Sequence, residues 1–184
     1  MAEIGIFFAE GYEEIEALTV VDLCRRAGIG VTMISVAGSE LVKGSHGIAV
    51  KMDAALADVD MNGFDMLVLP GGMPGTTNLE ACGRLMEALD HHYQNGKWVA
   101  AICAAPSILG HRGFLKGRKA TCYPSFETHL EGAKVTASAV EADGNVITGR
   151  GMGCAIPFGL KIVEKLVSPD AANQLAEGIV YERQ

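Results

Sequence analysis

The sequence predicts one α/β domain, residues 1–184, around a mostly parallel sheet. Short apolar runs such as Ile4–Ala9 and Phe64–Leu69 have the pattern of strands buried on both faces. Segments with helical spacing alternate with them. The first strand, helix and strand follow one another within about 35 residues, a βαβ unit whose parallel strands require a crossover helix.

Ile4–Ala9 is the first strand, and Gly11 breaks it. From Glu13 the apolar positions Ile15, Leu18, Val21 and Leu23 mark a helix, with Gly28 as its stop. Ile29–Val36 is the second strand. Phe64–Leu69 is a further strand and ends abruptly at Pro70-Gly71-Gly72. Cys82–Gln94 reads as a helix with Leu85, Met86, Leu89 and Tyr93 on one face, stopped by Asn95-Gly96. Trp98–Ile102 is the next strand, and a helix is expected to begin at once at Cys103. Val140–Thr148 has the pattern of a hairpin turning at Asp143-Gly144. Ala155–Leu166 is helical, and Ser168-Pro169 opens a last helix with serine as cap and proline in the first turn.

Composition narrows the function. Fifteen basic against 22 acidic residues give a net charge of −7, which argues against nucleic-acid contact driven by a basic face. An anionic membrane is an equally poor partner. No apolar run approaches the roughly 20 residues that cross a bilayer. Glu3 and the lack of a basic stretch speak against a signal peptide. The five cysteines are scattered, with no Cys-x-x-Cys pair, so neither a disulfide framework nor a metal site is expected. The compartment expected is the cytoplasm. His91 and His92 are placed on the solvated side of their helix. His111 and His129 are the only histidines downstream of Cys103, and neither falls in a recognisable motif.

In an open parallel sheet the loops after the strands share one edge, where ligands bind. Three such loops carry unusual residues: Ala9–Glu16, Pro70–Gly75 and Ala101–Pro106. Cys103 is the leading nucleophile, because a sharp strand-to-helix turn lifts its side chain above the sheet. A helix N-terminus beside it would favour the thiolate and lower its pKa. The other reading is a small buried hydrophobe, and the remaining cysteines keep it, with a pairing of Cys122 to Cys103 left open. Glu13, Glu14 and Glu16 could simply complement the positive end of their helix. A carboxyl held partly buried near the thiol could instead keep its proton, donate to sulfur and shuttle the proton. Pro70-Gly71-Gly72 is either turn punctuation or a backbone oxyanion site. The Gly149–Gly153 stretch is not a dinucleotide fingerprint, and no phosphate loop or zinc-protease motif exists.

Five segments in order resemble the DJ-1/PfpI superfamily, in its DJ-1/ThiJ branch: Gly11–Glu16, Val21–Gly28, Leu69–Gly72, Ala100–Pro106 and Thr148–Gly151. The resemblance covers nearly the whole chain. It implies a flavodoxin-like three-layer sandwich with a nucleophile elbow, and a homodimer. It implies Cys103 as the reactive cysteine, Glu16 as the carboxylic acid bonded to its sulfur, and the N–H groups of Gly72 and Ala104 as oxyanion donors. Glu13, Gly71, Tyr123 and Arg150 are expected to line the pocket. Members are described as cofactor-independent glyoxalases, deglycases or oxidative-stress chaperones, so no cofactor or metal is expected. A small aldehyde such as methylglyoxal is the expected substrate, with a glyoxalase III-like activity. Ala104 stands where protease-like members carry a histidine, so peptidase chemistry is not expected. Tyr123 replaces a histidine found in some members and leaves Glu16 as the main acid–base group. A glutaminase-type reading would need a His-x-Glu pair near the C-terminus, and no histidine follows His129.

Overall fold

The computed structural model describes residues 1–182. In chain order its elements are β1 (Glu3–Phe8), α1 (Glu14–Arg26), β2 (Gly30–Ser35), β3 (Leu41–Lys43), β4 (Ala49–Lys51), β5 (Ala54–Ala55) and β6 (Met66–Leu69). They continue with α2 (Gly75–Glu80), α3 (Gly83–Gln94), β7 (Trp98–Ile102), α4 (Pro106–His111), β8 (Lys119–Ala120) and β9 (Lys134–Val135). The last are β10 (Val140–Asp143), β11 (Val146–Gly149), α5 (Ala155–Leu166) and α6 (Pro169–Gly178).

The main sheet runs β10-β11-β7-β6-β1-β2-β5, with only β10 antiparallel to its neighbour. Its central order is the flavodoxin-like one, in which the chain reverses direction between β1 and β6. Side chains alternate across each strand. Ile4, Ile6 and Phe8 of β1 therefore join Val20, Phe158 and Ile162 in a core under α1 and α5. Phe7 and Ala9 join Leu67, Leu79, Leu89 and Ile108 in a core under α2, α3 and α4. Both faces are covered, which is why the strands read as continuous apolar runs. The hairpin at Asp143-Gly144 forms as expected. So does the cap on α6, where the Ser168 hydroxyl accepts the Ala171 N–H at 3.1 Å. Among the described residues no helix is long and apolar enough to cross a membrane.

Two expectations are corrected. The helix after β7 starts at Pro106 and not at Cys103, because Cys103 has φ of 66°, outside the helical region. His92 is fully buried, not solvated. It continues the stripe of Leu85 and Leu89 at helical spacing, and its Nε2 lies 3.1 Å from the Phe64 carbonyl. Burial holds its imidazole below the ordinary pKa.

Candidate active site

Three of the parallel strands deliver the site. β1, β6 and β7 end on one edge, beside the point where strand order reverses. The loop after β1 leads into α1, whose first turns carry Glu14 and Glu16, both buried. The loop after β6 brings Gly71 and Gly72 against it: the Glu13 N–H donates to the Gly71 carbonyl at 2.9 Å.

Cys103 follows β7 directly. A left-handed conformation costs an ordinary residue about 1–2 kcal/mol. The surroundings hold it there from both sides. Its N–H donates to the Gly149 carbonyl at 2.9 Å, and its carbonyl accepts the Tyr123 N–H at 2.8 Å. The turn is closed by the Ala105 N–H on the Ile102 carbonyl at 3.1 Å and by the Ser107 hydroxyl on the Ala104 carbonyl at 2.7 Å. Such a conformation persists only where the neighbours over-determine it.

The Cys103 thiol, half-buried, faces the Glu16 carboxyl. Glu16 Oε2 accepts the Gly71 N–H at 3.0 Å, while Oε1 is buried with no conventional partner. Burial raises the Glu16 carboxyl to about 7, and the nearby Glu13 charge adds to that. The thiol and the Gly71 N–H pull it back in part. The backbone N–H groups of Ala104 and Gly72 favour the anion of the sulfur. Burial outweighs them, and Glu16 as a charge and hydrogen-bond partner adds to it, so the thiol is pushed well above its ordinary value. The low thiol pKa expected from a helix end is therefore corrected, since the helix begins three residues further on. The two groups act as a coupled pair whose first proton leaves near neutrality.

Gly71 fills the gap between the two groups. A Cβ there would stand 2.6 Å from both the Cys103 Cβ and Glu16 Oε2. Tyr123 joins the site through its backbone bond to Cys103, and its ring is half exposed. Arg150 lies near Cys122, where its charge acts on that thiol, and its N–H donates to the Ala139 carbonyl at 3.0 Å. All the cysteines are free, so Cys122 and Cys103 do not form a disulfide. Cavities of about 530 Å³ beside Cys154 and about 630 Å³ beside Ile15 lie elsewhere; Cys103 lines neither.

Sequence reading missed the β3–β4 hairpin, which packs on the start of α1. The Gly11 N–H donates to the Lys43 carbonyl, and the Ser45 N–H to the Tyr12 carbonyl. Its signal was present: Gly44-Ser45-His46-Gly47 separates two short apolar–polar runs.

The model of the DJ-1/PfpI family matches residues 2–165, and the chain belongs to that family. Within it, the chain falls in the DJ-1/ThiJ branch. It is 37% identical over 177 residues to the Drosophila melanogaster protein dj-1beta, covering 95% of each chain. It is 35% identical over 167 residues to the Caenorhabditis elegans glutathione-independent glyoxalase DJR-1.2, covering 90% of this chain and 89% of that one. Two Arabidopsis thaliana DJ-1 homologues are longer, and the chain spans 40% and 44% of them. The solved structure of Toxoplasma gondii DJ-1, oxidized, superimposes with a TM-score of 0.95 at 34% identity, with full coverage of both chains.

Proposed function

We propose that the chain is a cofactor-independent glyoxalase or deglycase-type enzyme acting on small 2-oxoaldehydes through Cys103. The observation that carries this reading is the pair of Cys103 and Glu16, with the Gly72 and Ala104 N–H groups at the sulfur. The glyoxalase name of the Caenorhabditis elegans relative supports the substrate class. The sulfur adds to the aldehyde carbon of methylglyoxal as Glu16 takes the thiol proton. The hemithioacetal oxygen gains negative charge beside the two backbone N–H groups. Glu16 returns the thiol proton to that oxygen and is again a carboxylate. It then takes the proton from the former aldehyde carbon and delivers it to the neighbouring carbon as the hydroxyl proton passes to the ketone oxygen, giving a lactoyl thioester. Water cleaves the thioester, releasing lactate and restoring the thiol. One water is consumed, with no net oxidation. Lactate formation without glutathione tests the reading, and unchanged turnover in Glu16→Ala would remove its proton-transfer step.

A second reading uses the same cysteine as an oxidation sensor or redox-regulated chaperone. It is favoured by the half-buried sulfur and the donors that would hold a sulfinate. Limited peroxide is then expected to add oxygen to Cys103 first, read by peptide mass spectrometry. Equal oxidation of every cysteine would refute it.

The proposed partners are a small aldehyde and a second copy of the chain, with the cytoplasm as the setting. Ile15 and Ile48 are 50% and 55% exposed, and with Leu18, Ile156 and Ile179 they line an apolar groove. A homodimer through this face predicts twice the chain mass by light scattering, reduced to one chain by Ile15→Glu. A native chain of single mass at micromolar concentration would contradict it.

A further inference from the structure

Outside the cysteine site, four polar atoms converge where the β3–β4 turn meets the start of α1. They are Glu13 Oε2, Glu14 Oε2, Ser45 Oγ and His46 Nδ1. Ser45 Oγ lies 3.3 Å from Glu13 Oε2, 3.4 Å from Glu14 Oε2 and 3.0 Å from His46 Nδ1. His46 Nδ1 lies 3.1 Å from Glu14 Oε2 and 3.6 Å from Glu13 Oε2. Ligand atoms offered by the two glutamates and the histidine all fall within 4.8 Å of one another.

We propose that Glu13, Glu14 and His46 bind a divalent cation of the zinc class, with the Ser45 hydroxyl at the fourth corner. A tetrahedral site with ligands at about 2.0–2.1 Å has edges of about 3.3–3.4 Å. Five of the six edges here are 3.0–3.6 Å. One imidazole nitrogen with carboxylate oxygens is a donor set that suits zinc better than magnesium or calcium, which take all-oxygen shells.

The donors are built in from two directions. Glu14 has a side chain 5% exposed, and its other oxygen, Oε1, accepts the His46 N–H at 2.8 Å and the Ile48 N–H at 3.4 Å. Those bonds turn Oε2 towards the cluster, the outer-shell orientation that metal-binding carboxylates need. Gly44 leaves the room for it, since a Cβ there would stand 2.3 Å from the Glu14 carboxyl. His46 is 68% exposed and supplies the open side through which a cation enters. None of these groups is a reacting atom in the glyoxalase scheme. The Glu13 charge acts on Glu16, so the test below reads metal binding alone and its failure is distinct from failure of the glyoxalase reading.

The test uses the full chain carrying Cys103→Ser, so that the reactive thiol takes no part. Zinc chloride titrated by calorimetry is expected to show one bound ion per chain. His46→Ala and Glu13→Gln, both folded by circular dichroism, are each expected to weaken binding at least tenfold. X-ray absorption of the zinc-loaded chain should show a nitrogen and oxygen shell. No saturable binding, binding unchanged in both variants, or sulfur in the shell would overturn the proposal.

Discussion

Replacing Glu16 with glutamine is expected to lower lactate formation about a thousandfold, the usual scale for loss of a positioned acid–base group. The same change is expected to stabilise the fold at alkaline pH. Burial raises the folded carboxyl from 4.5 to about 7, so between these values the folded chain holds a proton that the unfolded chain has released. Stability from this group is therefore present at low pH and is lost as pH rises through about 7. Glutamine carries no charge to bury. Its variant should match the native chain near pH 4.5 and exceed it at pH 8 by about 3 kcal/mol, measured by urea unfolding. In the native chain, kcat/KM should climb about tenfold per pH unit below neutrality and level off above it, because the pair must first lose one proton. A Glu16→Gln variant of equal stability at both pH values, or of native activity, would contradict the assignment.

The second large effect is expected at Gly71. Its substitution by alanine needs no unusual backbone angle, yet the new Cβ would press on the Cys103 Cβ and Glu16 Oε2 at 2.6 Å and on the Ile102 carbonyl at 2.9 Å. Neither side can give freely, because Cys103 is fixed by two backbone bonds and Glu16 by the Gly71 N–H itself. Overpacking of this kind costs about 1–3 kcal/mol. A displacement of about 1 Å between reacting groups costs about a hundredfold in rate. Gly71→Ala should therefore fold with reduced stability and retain about one hundredth of the native turnover. Activity within twofold of native would show that the gap at Gly71 does not set the distance between thiol and carboxyl.

What could be read from the sequence was what periodicity and punctuation encode. β1, β6 and β7 are buried on both faces and so appear as apolar runs, while the stop at Pro70-Gly71-Gly72 and the cap at Ser168 are local chemistry. Three strand ends on one edge follow from parallel pairing alone, and that pairing is enough to place Cys103, Gly71 and the α1 carboxylates near one another. What stayed hidden depends on tertiary surroundings. His92 looks polar, but its helical position continues a buried stripe. The left-handed angle of Cys103 is imposed by Gly149 and Tyr123, which are remote in sequence. Its raised thiol pKa comes from burial and from Glu16, and no helix end reaches it. Nothing local separates Glu14, turned towards the Gly44–Ile48 loop, from Glu16, turned towards the thiol; only the helix and its packing decide.

The most direct measurement is lactate formation from methylglyoxal, without glutathione or added metal, by the native chain and by Cys103→Ser. Steady turnover by the native chain that disappears in a well-folded Cys103→Ser variant is the predicted result. No turnover by folded native protein, or turnover that survives the loss of the thiol, would contradict the central claim that Cys103 performs the chemistry.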